Sequence, residues 1–269
     1  MTIETIVFQA TTICPYHCPQ CYMQKGNADI SLDAAKEKID MATGLGLCAI
    51  QITGGEPAGY PYLRELIGYA KSKGVYTALA TSGYKHSYDY YLALKQSGLD
   101  ILCISVNDID ESINKKTRDA FGVSIAAIKD AREAGIYCFA NVVLTDDNID
   151  NLELLAEYLK KNGVLGIEIL RPMPSFDGKF VPKLSEETVE QLDNVVKKYP
   201  ELFRVENCFK EYWEYKTKQN FVCRDAGETS LFVNVDGSVS PCSKLQQFKY
   251  DSLEKMLEDR DNWKGGCCG

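Results

Sequence analysis

Three cysteines fall in one short segment, Cys14-Pro-Tyr-His-Cys18-Pro-Gln-Cys21, which follows the first apolar run of the chain. Thiolates are the soft ligands that bind iron–sulfur clusters and zinc. A ferredoxin-type run would have a fourth cysteine close by, whereas the next cysteine here is Cys48. Three thiolates on a four-iron cluster would leave one iron free to chelate a small molecule. The alternative is a zinc site with His17 as the fourth ligand, although zinc sites usually use C-x2-C pairs.

The segment Gly54-Gly55-Glu56-Pro57 comes directly after the second apolar run. Glycine lets the backbone approach a ligand closely, and the Glu56 carboxylate can make a charge-assisted hydrogen bond to a cation. By itself, such a segment would be interpreted as a plain turn. Further candidate side chains stand near the ends of later apolar runs, namely Ser82, Ser105, Asn107, Arg118, Asn141 and Leu170.

Short apolar runs alternate with amphipathic stretches from residue 3 to residue 170. This periodicity predicts strands at 6–8, 49–52, 75–80, 101–106, 137–144 and 164–170. It predicts helices at 31–45, 62–73, 88–96, 124–134, 149–161 and 185–199. Strict alternation implies a parallel sheet with right-handed crossovers, in which chemistry collects at the carboxyl ends of the strands. Both an open doubly wound sheet and a partial barrel fit the pattern.

The alternation breaks near Pro200, which predicts one domain at 1–200 and a small module at 201–269. Residues 231–239 predict a β-hairpin with Asp236-Gly237 as a two-residue turn, and a short helix is expected at 252–261. The hairpin would bring Cys223 and Cys242 near each other, so that a second metal site could form there.

The cysteine loop and the Gly-Gly-Glu-Pro segment together resemble the signature of the radical S-adenosylmethionine (SAM) enzymes. The resemblance covers roughly residues 3–171 and implies an α/β fold, a partial (β/α)6 TIM-like barrel rather than an open sheet. It implies that Cys14, Cys18 and Cys21 hold a 4Fe-4S cluster with SAM at its open iron. The residues that it assigns to SAM binding are Tyr22, Gly54, Gly55, Glu56, Pro57, Ser82, Ser105, Asn107, Arg118 and Leu170.

Within that set the resemblance implies individual roles. The motif that contains Glu56 holds the SAM ammonium group, and Arg118 pairs with the SAM carboxylate. Leu170 packs on the adenine ring, and Tyr22 lies close to it. Two positions depart from the family pattern, because Asn107 stands where an aspartate is common and Gln20 stands where many members have an aromatic residue.

The tail resembles the SPASM module, or the shorter Twitch module, which hold auxiliary 4Fe-4S clusters. A full SPASM module continues with four spaced cysteines, whereas this sequence ends with Cys267-Cys268-Gly269, so that a Twitch-like module with one auxiliary cluster is expected. The implied ligands are Cys223, Cys242, Cys267 and either Cys268 or Cys208. Ordinary thiols or a zinc site in the tail are the alternatives.

The composition narrows the classes of function. The net charge of −8 argues against a protein that binds nucleic acid or an anionic membrane. No apolar run approaches the ~20 residues of a membrane span, and the N-terminus does not have the pattern of a signal peptide. Eleven cysteines beside two histidines, without an export signal, predict a reducing compartment, the cytoplasm.

The resemblance implies reductive cleavage of SAM to a 5′-deoxyadenosyl radical, which abstracts a hydrogen atom from the substrate, with flavodoxin or ferredoxin as the reductant. The substrate expected from the tail is a ribosomally synthesised peptide, which would be crosslinked, epimerised or oxidised with help from the auxiliary cluster. A Twitch-type dehydrogenase or mutase of a small sugar-like molecule is the alternative. The absence of an obvious N-terminal leader-binding domain favours this alternative or a separate recognition protein. A non-catalytic iron–sulfur electron carrier is a third hypothesis, although a carrier needs no carboxylate such as Glu56 to bind an ammonium group. No catalytic acid or base can be assigned.

Overall fold

The computed structural model describes residues 2–210 and 225–263. The strands in these ranges are Thr5–Thr11 (β1), Ala49–Gly54 (β2), Tyr76–Thr81 (β3), Ile101–Ser105 (β4), Tyr137–Val143 (β5), Gly166–Leu170 (β6), Phe203–Val205 (β7), Ser230–Val233 (β8) and Val239–Ser240 (β9). The α-helices are Leu32–Thr43 (α1), Leu63–Ser72 (α2), Tyr88–Ser97 (α3), Glu111–Asn114 (α4), Phe121–Glu133 (α5), Leu152–Lys161 (α6), Glu186–Lys198 (α7), Leu253–Glu258 (α8) and Arg260–Trp263 (α9).

The strands of the described residues form one nine-stranded sheet in the order β7-β6-β5-β4-β3-β2-β1-β8-β9. Every neighbouring pair is parallel except β8 and β9. Parallel neighbours need a crossover connection, and each connection from β1 to β7 contains at least one helix. The predicted α/β fold with six strand–helix units, a partial TIM-like barrel, is therefore confirmed.

Several helices begin where the sequence provides a capping side chain. Ser31 precedes α1 and accepts a hydrogen bond from the Ala34 N–H, and Ser185 does the same for Thr188 at the start of α7. Both side chains satisfy a backbone donor that the first helical turn leaves without an intrahelical partner. The α-helical part of the predicted helix 149–161 begins only at Leu152, because Ile149–Asn151 forms a 3-10 turn.

The two faces of the sheet differ in chemistry. The face toward the helices carries fully buried apolar side chains, among them Ile6, Phe8, Ile50, Ile52, Leu102, Ile104, Ile167 and Ile169. The concave face carries polar side chains, namely Gln51, Thr53, Ser105, Asn141 and Glu168, which line a cavity. Successive side chains of a strand point to opposite faces. Strands whose sequences are mostly apolar thus place single polar residues inside the barrel.

The hairpin in the tail is confirmed, but its predicted two-residue turn is wrong. The Gly237 N–H donates to the Asn234 carbonyl oxygen at 2.9 Å, and the Asn234 N–H donates to the Ser238 carbonyl oxygen at 2.9 Å. The loop therefore has three residues, with Gly237 in the left-handed region at φ 82°. A turn followed by a left-handed glycine is the usual three-residue hairpin loop, and Asp-Gly suits its last two positions as well.

The two edges of the sheet meet through a buried ion pair. Glu206 follows edge strand β7, and Lys244 follows edge strand β9. The Lys244 Nζ lies 2.8 Å from Glu206 Oε1, and the Lys244 side chain is only 8% exposed. The sheet therefore curves until side chains beyond its edge strands close the barrel. Because β8 pairs with β1, the tail adds strands to this sheet, and the domain boundary at residue 200 stays a prediction.

In the described ranges, no helix combines the length and the apolar composition that a membrane span needs.

Candidate functional site

One cavity of about 460 Å³ occupies the concave side of the sheet, at the carboxyl ends of its strands. Eleven of the residues predicted to bind SAM or the first cluster line this cavity. They are Cys14, Cys18, Cys21, Tyr22, Gly54, Gly55, Glu56, Ser82, Ser105, Arg118 and Leu170. Two predicted residues, Pro57 and Asn107, are not among its lining residues. The structure thus brings together residues that are up to 156 positions apart, from Cys14 to Leu170.

The cysteine loop is held by backbone bonds rather than by its prolines alone. The Cys21 N–H donates to the Cys18 carbonyl oxygen at 3.1 Å, and the Asp119 N–H donates to the Cys18 Sγ at 3.4 Å. Burial raises the pKa of the Cys14 thiol, whereas a hydrogen bond from the Tyr16 backbone lowers it. His17 is exposed and donates its N–H to Asp119 Oδ2 at 2.6 Å.

The two glycines of the Gly-Gly-Glu-Pro segment line the cavity and also let two backbone segments pack closely. A Cβ on Gly54 would lie 2.3 Å from the Thr11 carbonyl oxygen, and one on Gly55 would lie 2.3 Å from the Ile13 carbonyl oxygen. The Gly55 N–H donates to that Thr11 oxygen at 2.7 Å. Glycine is needed here because the backbone at the end of β2 packs directly on the backbone that leads into the cysteine loop.

The Glu56 carboxylate is buried, with 2% of the residue exposed, and three donors hold it. Oε1 accepts hydrogen bonds from the Thr81 hydroxyl and from the Ala58 N–H, and Oε2 accepts one from the Ser82 N–H at 2.9 Å. Burial raises the pKa of Glu56, while these hydrogen bonds and the charge of Arg118 lower it. The carboxylate is therefore fixed in place, and Oε2 retains capacity for one more donor.

Arg118 lies in the cavity with a buried Nε that has no hydrogen-bond partner among the described residues. The buried Gln20 Oε1 and Asn141 Oδ1 are likewise without a partner there, and both residues line the cavity. A guanidinium and a fixed carboxylate in one cavity match the two charges of an amino acid. The guanidinium can pair with its carboxylate, and the protein carboxylate can pair with its ammonium group. The orphaned Arg118 Nε thus fits the carboxylate of SAM.

Asn107 is a structural residue in this fold rather than part of the cavity wall. Its Nδ2 donates to Thr117 Oγ1 at 2.8 Å, and its Oδ1 accepts from the Val143 N–H at 3.0 Å. Its backbone N–H donates to Asn114 Oδ1 and its carbonyl oxygen accepts from Asn148. All of its polar groups are occupied, so that the expected contact between Asn107 and SAM has no support in this geometry. Pro57 begins the 3-10 turn Pro57–Gly59 that Glu56 caps.

A second group of charged residues lines the other part of the cavity, where β6, β7 and β9 end. It comprises Glu168, Arg171, Glu206, Asp225 and Lys244, together with Cys208 and Cys242. Glu206 joins several of them, because its Oε2 accepts from the Arg171 N–H at 3.1 Å and its Oε1 pairs with Lys244. Burial lowers the pKa of Lys244, but the negative charges nearby, Glu206 foremost, together raise it above its ordinary value.

The sequence analysis missed Glu168, Glu206 and Lys244. The one available signal was Glu168, an isolated charge between Ile167 and Ile169 in a strand whose other side is apolar. Of the predicted auxiliary-cluster ligands, Cys242 lies at the cavity, as does the alternative Cys208. Cys223, Cys267 and Cys268 lie outside the described residues.

The cysteine loop could hold either a 4Fe-4S cluster or a zinc ion. Within residues 2–210 and 225–263, no three His, Cys, Asp or Glu side chains converge closely enough to bind a single metal ion. The zinc alternative with Cys14, Cys18, Cys21 and His17 is thus not supported by the side-chain positions. Four-iron clusters are held by cysteine thiolates, and the three thiols of this loop line one cavity, which fits such a cluster.

The sequence profile of the radical SAM superfamily matches residues 8–159, more than half of the 269 residues. PqqA peptide cyclase from Streptomyces rochei is 28% identical over 171 residues, which are 61% of this chain and 47% of that protein. The probable GTP 3′,8-cyclase from Sulfurisphaera tokodaii is 24% identical over 275 aligned residues, which cover 96% of this chain and 87% of that protein. The chain spans about half the length of PqqA peptide cyclase.

The fold has solved counterparts. SuiB from Streptococcus suis superposes with a TM-score of 0.78 at 18% identity, covering 96% of this chain and 65% of that one. SuiB bound to the precursor peptide SuiA gives a TM-score of 0.75 at 16% identity, covering 96% of this chain and 64% of that one. At such identities the likeness shows the fold alone. Because the superfamily profile covers most of the barrel, this chain belongs to the radical SAM superfamily.

Proposed function

We propose that this chain is a radical SAM enzyme that modifies a ribosomally synthesised peptide. The observation that carries the proposal is the convergence of three cysteine thiols, the fixed Glu56 carboxylate and the Arg118 guanidinium on one cavity. When bound, SAM and a 4Fe-4S cluster supply a 5′-deoxyadenosyl radical that abstracts hydrogen from a substrate.

The protein residues hold and orient these groups. Cys14, Cys18 and Cys21 would bind the cluster, and their loop is held at its position by Gly54 and Gly55. Glu56 Oε2 would accept a hydrogen bond from the SAM ammonium group, while Arg118 would pair with its carboxylate. Leu170 and Tyr22 line the same cavity and are assigned to the adenine.

We further propose an auxiliary 4Fe-4S cluster at the end of the cavity where Cys208 and Cys242 lie. The presence of both residues at one cavity supports Cys208, rather than Cys268, as the ligand that completes the set with Cys223 and Cys267. The tail from residue 201 onward would then form the auxiliary-cluster module. A flavodoxin or ferredoxin would supply electrons.

Two similarities support a peptide as the substrate. PqqA peptide cyclase acts on a peptide according to its name, and SuiB has been solved with its precursor peptide. These proteins are longer than this chain, and recognition of a peptide by this chain is part of the proposal.

A small molecule is the second candidate substrate. The probable GTP 3′,8-cyclase matches nearly the whole of this chain and most of its own length, tail included. Peptide and small-molecule chemistry would use the same cysteine loop, Glu56 and Arg118, and would differ at the other end of the cavity.

The test is to reconstitute the chain with iron and sulfide without oxygen and to incubate it with dithionite and SAM. We expect 5′-deoxyadenosine and methionine in equal amounts. A chain that binds iron and SAM yet forms no 5′-deoxyadenosine would refute the enzyme and favour an electron carrier. Peptides encoded next to this gene, added singly, would then be screened by mass spectrometry against nucleotides and sugars.

A further inference from the structure

Glu168 is a carboxylate that the proposed SAM site does not use. It lies in β6 between Ile167 and Ile169, which are both fully buried toward the helices, so that its own side chain points to the concave face. There it lines the same cavity as the cysteine loop. The Glu168 side chain is partly buried, and removing a charge from water is costly unless a partner compensates it.

Within the described residues, the Glu168 carboxylate receives no hydrogen bond, and its interactions are electrostatic ones with charged neighbours. Burial raises the pKa of Glu168, as does the negative charge of Glu206, whereas Arg204 and Lys244 lower it. Lys244 is already committed to Glu206 at 2.8 Å. Glu168 therefore lies near positive charges without a donor of its own.

Asn141 stands beside Glu168 on the neighbouring strand. The two residues are register partners between β5 and β6, and parallel strands lie about 4.8 Å apart. Asn141 is 6% exposed, and its buried Oδ1 has no hydrogen-bond partner in the part of the chain that the structure describes. Two acceptors without donors thus lie side by side on the wall of the cavity.

The position of this acceptor pair separates it from the amino-acid part of the SAM site. The charged groups that act on Glu168 are Glu206, Arg204 and Lys244, which belong to the end of the cavity near β7 and β9. Glu56 interacts instead with Arg118, at the cysteine loop. Asn141 is also the register partner of Ser105 on β4, so that the pair continues the row of cavity-wall residues from the SAM site toward the β7 edge. A ligand group that meets Glu168 is therefore assigned to the molecule that shares the cavity with SAM.

We propose that Glu168 and Asn141 form a substrate-anchoring site for an ammonium group, such as an amino terminus or a basic side chain of a peptide provides. An ammonium has three donors, so that it can bond both acceptors at once, and its charge compensates the partly buried carboxylate. The inference rests on the proposed function, since it assumes that SAM occupies the cysteine-loop end.

The test uses propylammonium, propanol and propionate as probes of equal carbon length. Each is titrated at constant ionic strength into SAM-loaded, oxygen-free protein with oxidised clusters, and binding is followed by ligand-observed NMR. We expect propylammonium to bind at least about tenfold more tightly than propanol, because a hydrogen bond to a charged group is the stronger kind. Propionate should bind more weakly than propanol.

The Glu168→Gln variant should lose this preference, and Asn141→Leu should reduce it. Glu190→Gln removes the same charge from an exposed position on α7 and should leave the preference unchanged. Urea unfolding reports whether each variant is folded, independently of SAM, and Glu168→Asp, which keeps the carboxylate, should retain part of the preference.

Three results would overturn the inference. They are equal binding of propylammonium and propanol, an undiminished preference in Glu168→Gln, or a loss of SAM affinity in a folded Glu168→Gln variant. The last result would mean that Glu168 contacts SAM. Formation of 5′-deoxyadenosine is measured separately, so that a failure of the proposed function is distinguishable from a failure of the anchoring site.

Discussion

Glu56 and Glu168 are both carboxylates on the wall of one cavity, and burial raises the pKa of both. They differ in their partners, because three donors from neighbouring strands and turns hold Glu56, whereas Glu168 receives none in the described residues. The comparison separates a buried carboxylate, Glu56, from a partly buried one, Glu168. One is fixed by the fold before any ligand arrives, and the other lacks the donor that a ligand would bring.

The same contrast holds for the two ends of the cavity. The cysteine-loop end, with Cys14, Cys18, Cys21, Glu56 and Arg118, is built from motifs that lie close in sequence to a strand end. The sheet-edge end, with Glu168, Glu206 and Lys244, is built from residues that only the curvature of the sheet brings together. Substitutions at the two ends of the cavity should therefore differ in their effects on 5′-deoxyadenosine formation and on stability.

The largest effect is expected at the cysteine-loop end. Replacing Cys14, Cys18 and Cys21 together by alanine removes every proposed ligand of the SAM-binding cluster and should abolish 5′-deoxyadenosine formation. If the sheet-edge end holds its own four-iron cluster, about four irons per chain should remain after anaerobic reconstitution. Iron and sulfide analysis checks this, and a variant without any iron would contradict the two-cluster proposal.

Gly55→Ala should disrupt the connection between the cysteine loop and β2. Its Cβ would lie 2.3 Å from the Ile13 carbonyl oxygen, so that backbone must move, and we expect a loss of more than about 3 kcal/mol in the free energy of unfolding. Gly122→Ala is the matched control, since a Cβ there meets nothing within 4 Å and alanine favours the helix by up to about 1 kcal/mol. Urea unfolding of both variants measures the difference. Equal stabilities would show that the loop does not need this close packing.

Lys244→Met tests the closure of the sheet-edge end. It leaves Glu206, whose side chain is 27% exposed, with the Arg171 N–H as a remaining donor, and we expect a loss of about 1–3 kcal/mol in the free energy of unfolding. Lys249→Met breaks an ion pair with Asp236 in which both side chains are about half exposed, and such pairs contribute about 0–1 kcal/mol. Urea unfolding of Lys244→Met and Lys249→Met measures the difference. Unchanged stability of Lys244→Met would mean that the pair does not hold the edges together.

Glu56→Gln should destabilise the fold by about 1–3 kcal/mol, because an amide cannot accept hydrogen bonds at both of its ends. The Ser82 N–H would then face the amide nitrogen instead of an oxygen. Chemical denaturation at neutral pH measures the loss, and the affinity for SAM should fall in the same variant. A variant as stable as the parent would contradict the view that Glu56 is held by its donors.

Glu168→Gln should have the smallest effect on stability and the opposite sign. The raised pKa means that the folded state binds the Glu168 proton more tightly than the unfolded state does. Its contribution to stability is therefore present below the ordinary value of 4.5 and is lost as the pH rises through the folded-state pKa. Glutamine does not titrate, so that the free energy of unfolding of Glu168→Gln does not fall in this way as the pH rises. The variant should therefore be more stable than the parent protein at high pH, and this difference should disappear below pH 4.5. Urea unfolding between pH 4 and pH 8 tests this, and a variant less stable at pH 8 would contradict it.

The strand–helix alternation, the cysteine loop and the Gly-Gly-Glu-Pro segment could be predicted because each is a local pattern of residue types and spacing. The role of the two glycines could not, since the backbone that they contact lies more than forty positions earlier in the chain, at Thr11 and Ile13. Asn107 was expected at the cavity for its place near a strand end, but its side chain turns to Thr117 and Val143 instead. Strand β7 was missed because three residues do not establish a periodicity.

The sequence by itself determined the parallel order of the barrel strands and the loop of thiols, because right-handed crossovers and ligand spacing follow from local rules. Only the tertiary structure decided which charges share the cavity. The Glu206–Lys244 contact depends on how far the sheet curves, and the Glu168–Asn141 pair depends on the register of β5 and β6. A local sequence pattern predicts neither the curvature nor the register. Burial in that curved sheet then gives Glu168 a chemistry different from that of an exposed glutamate.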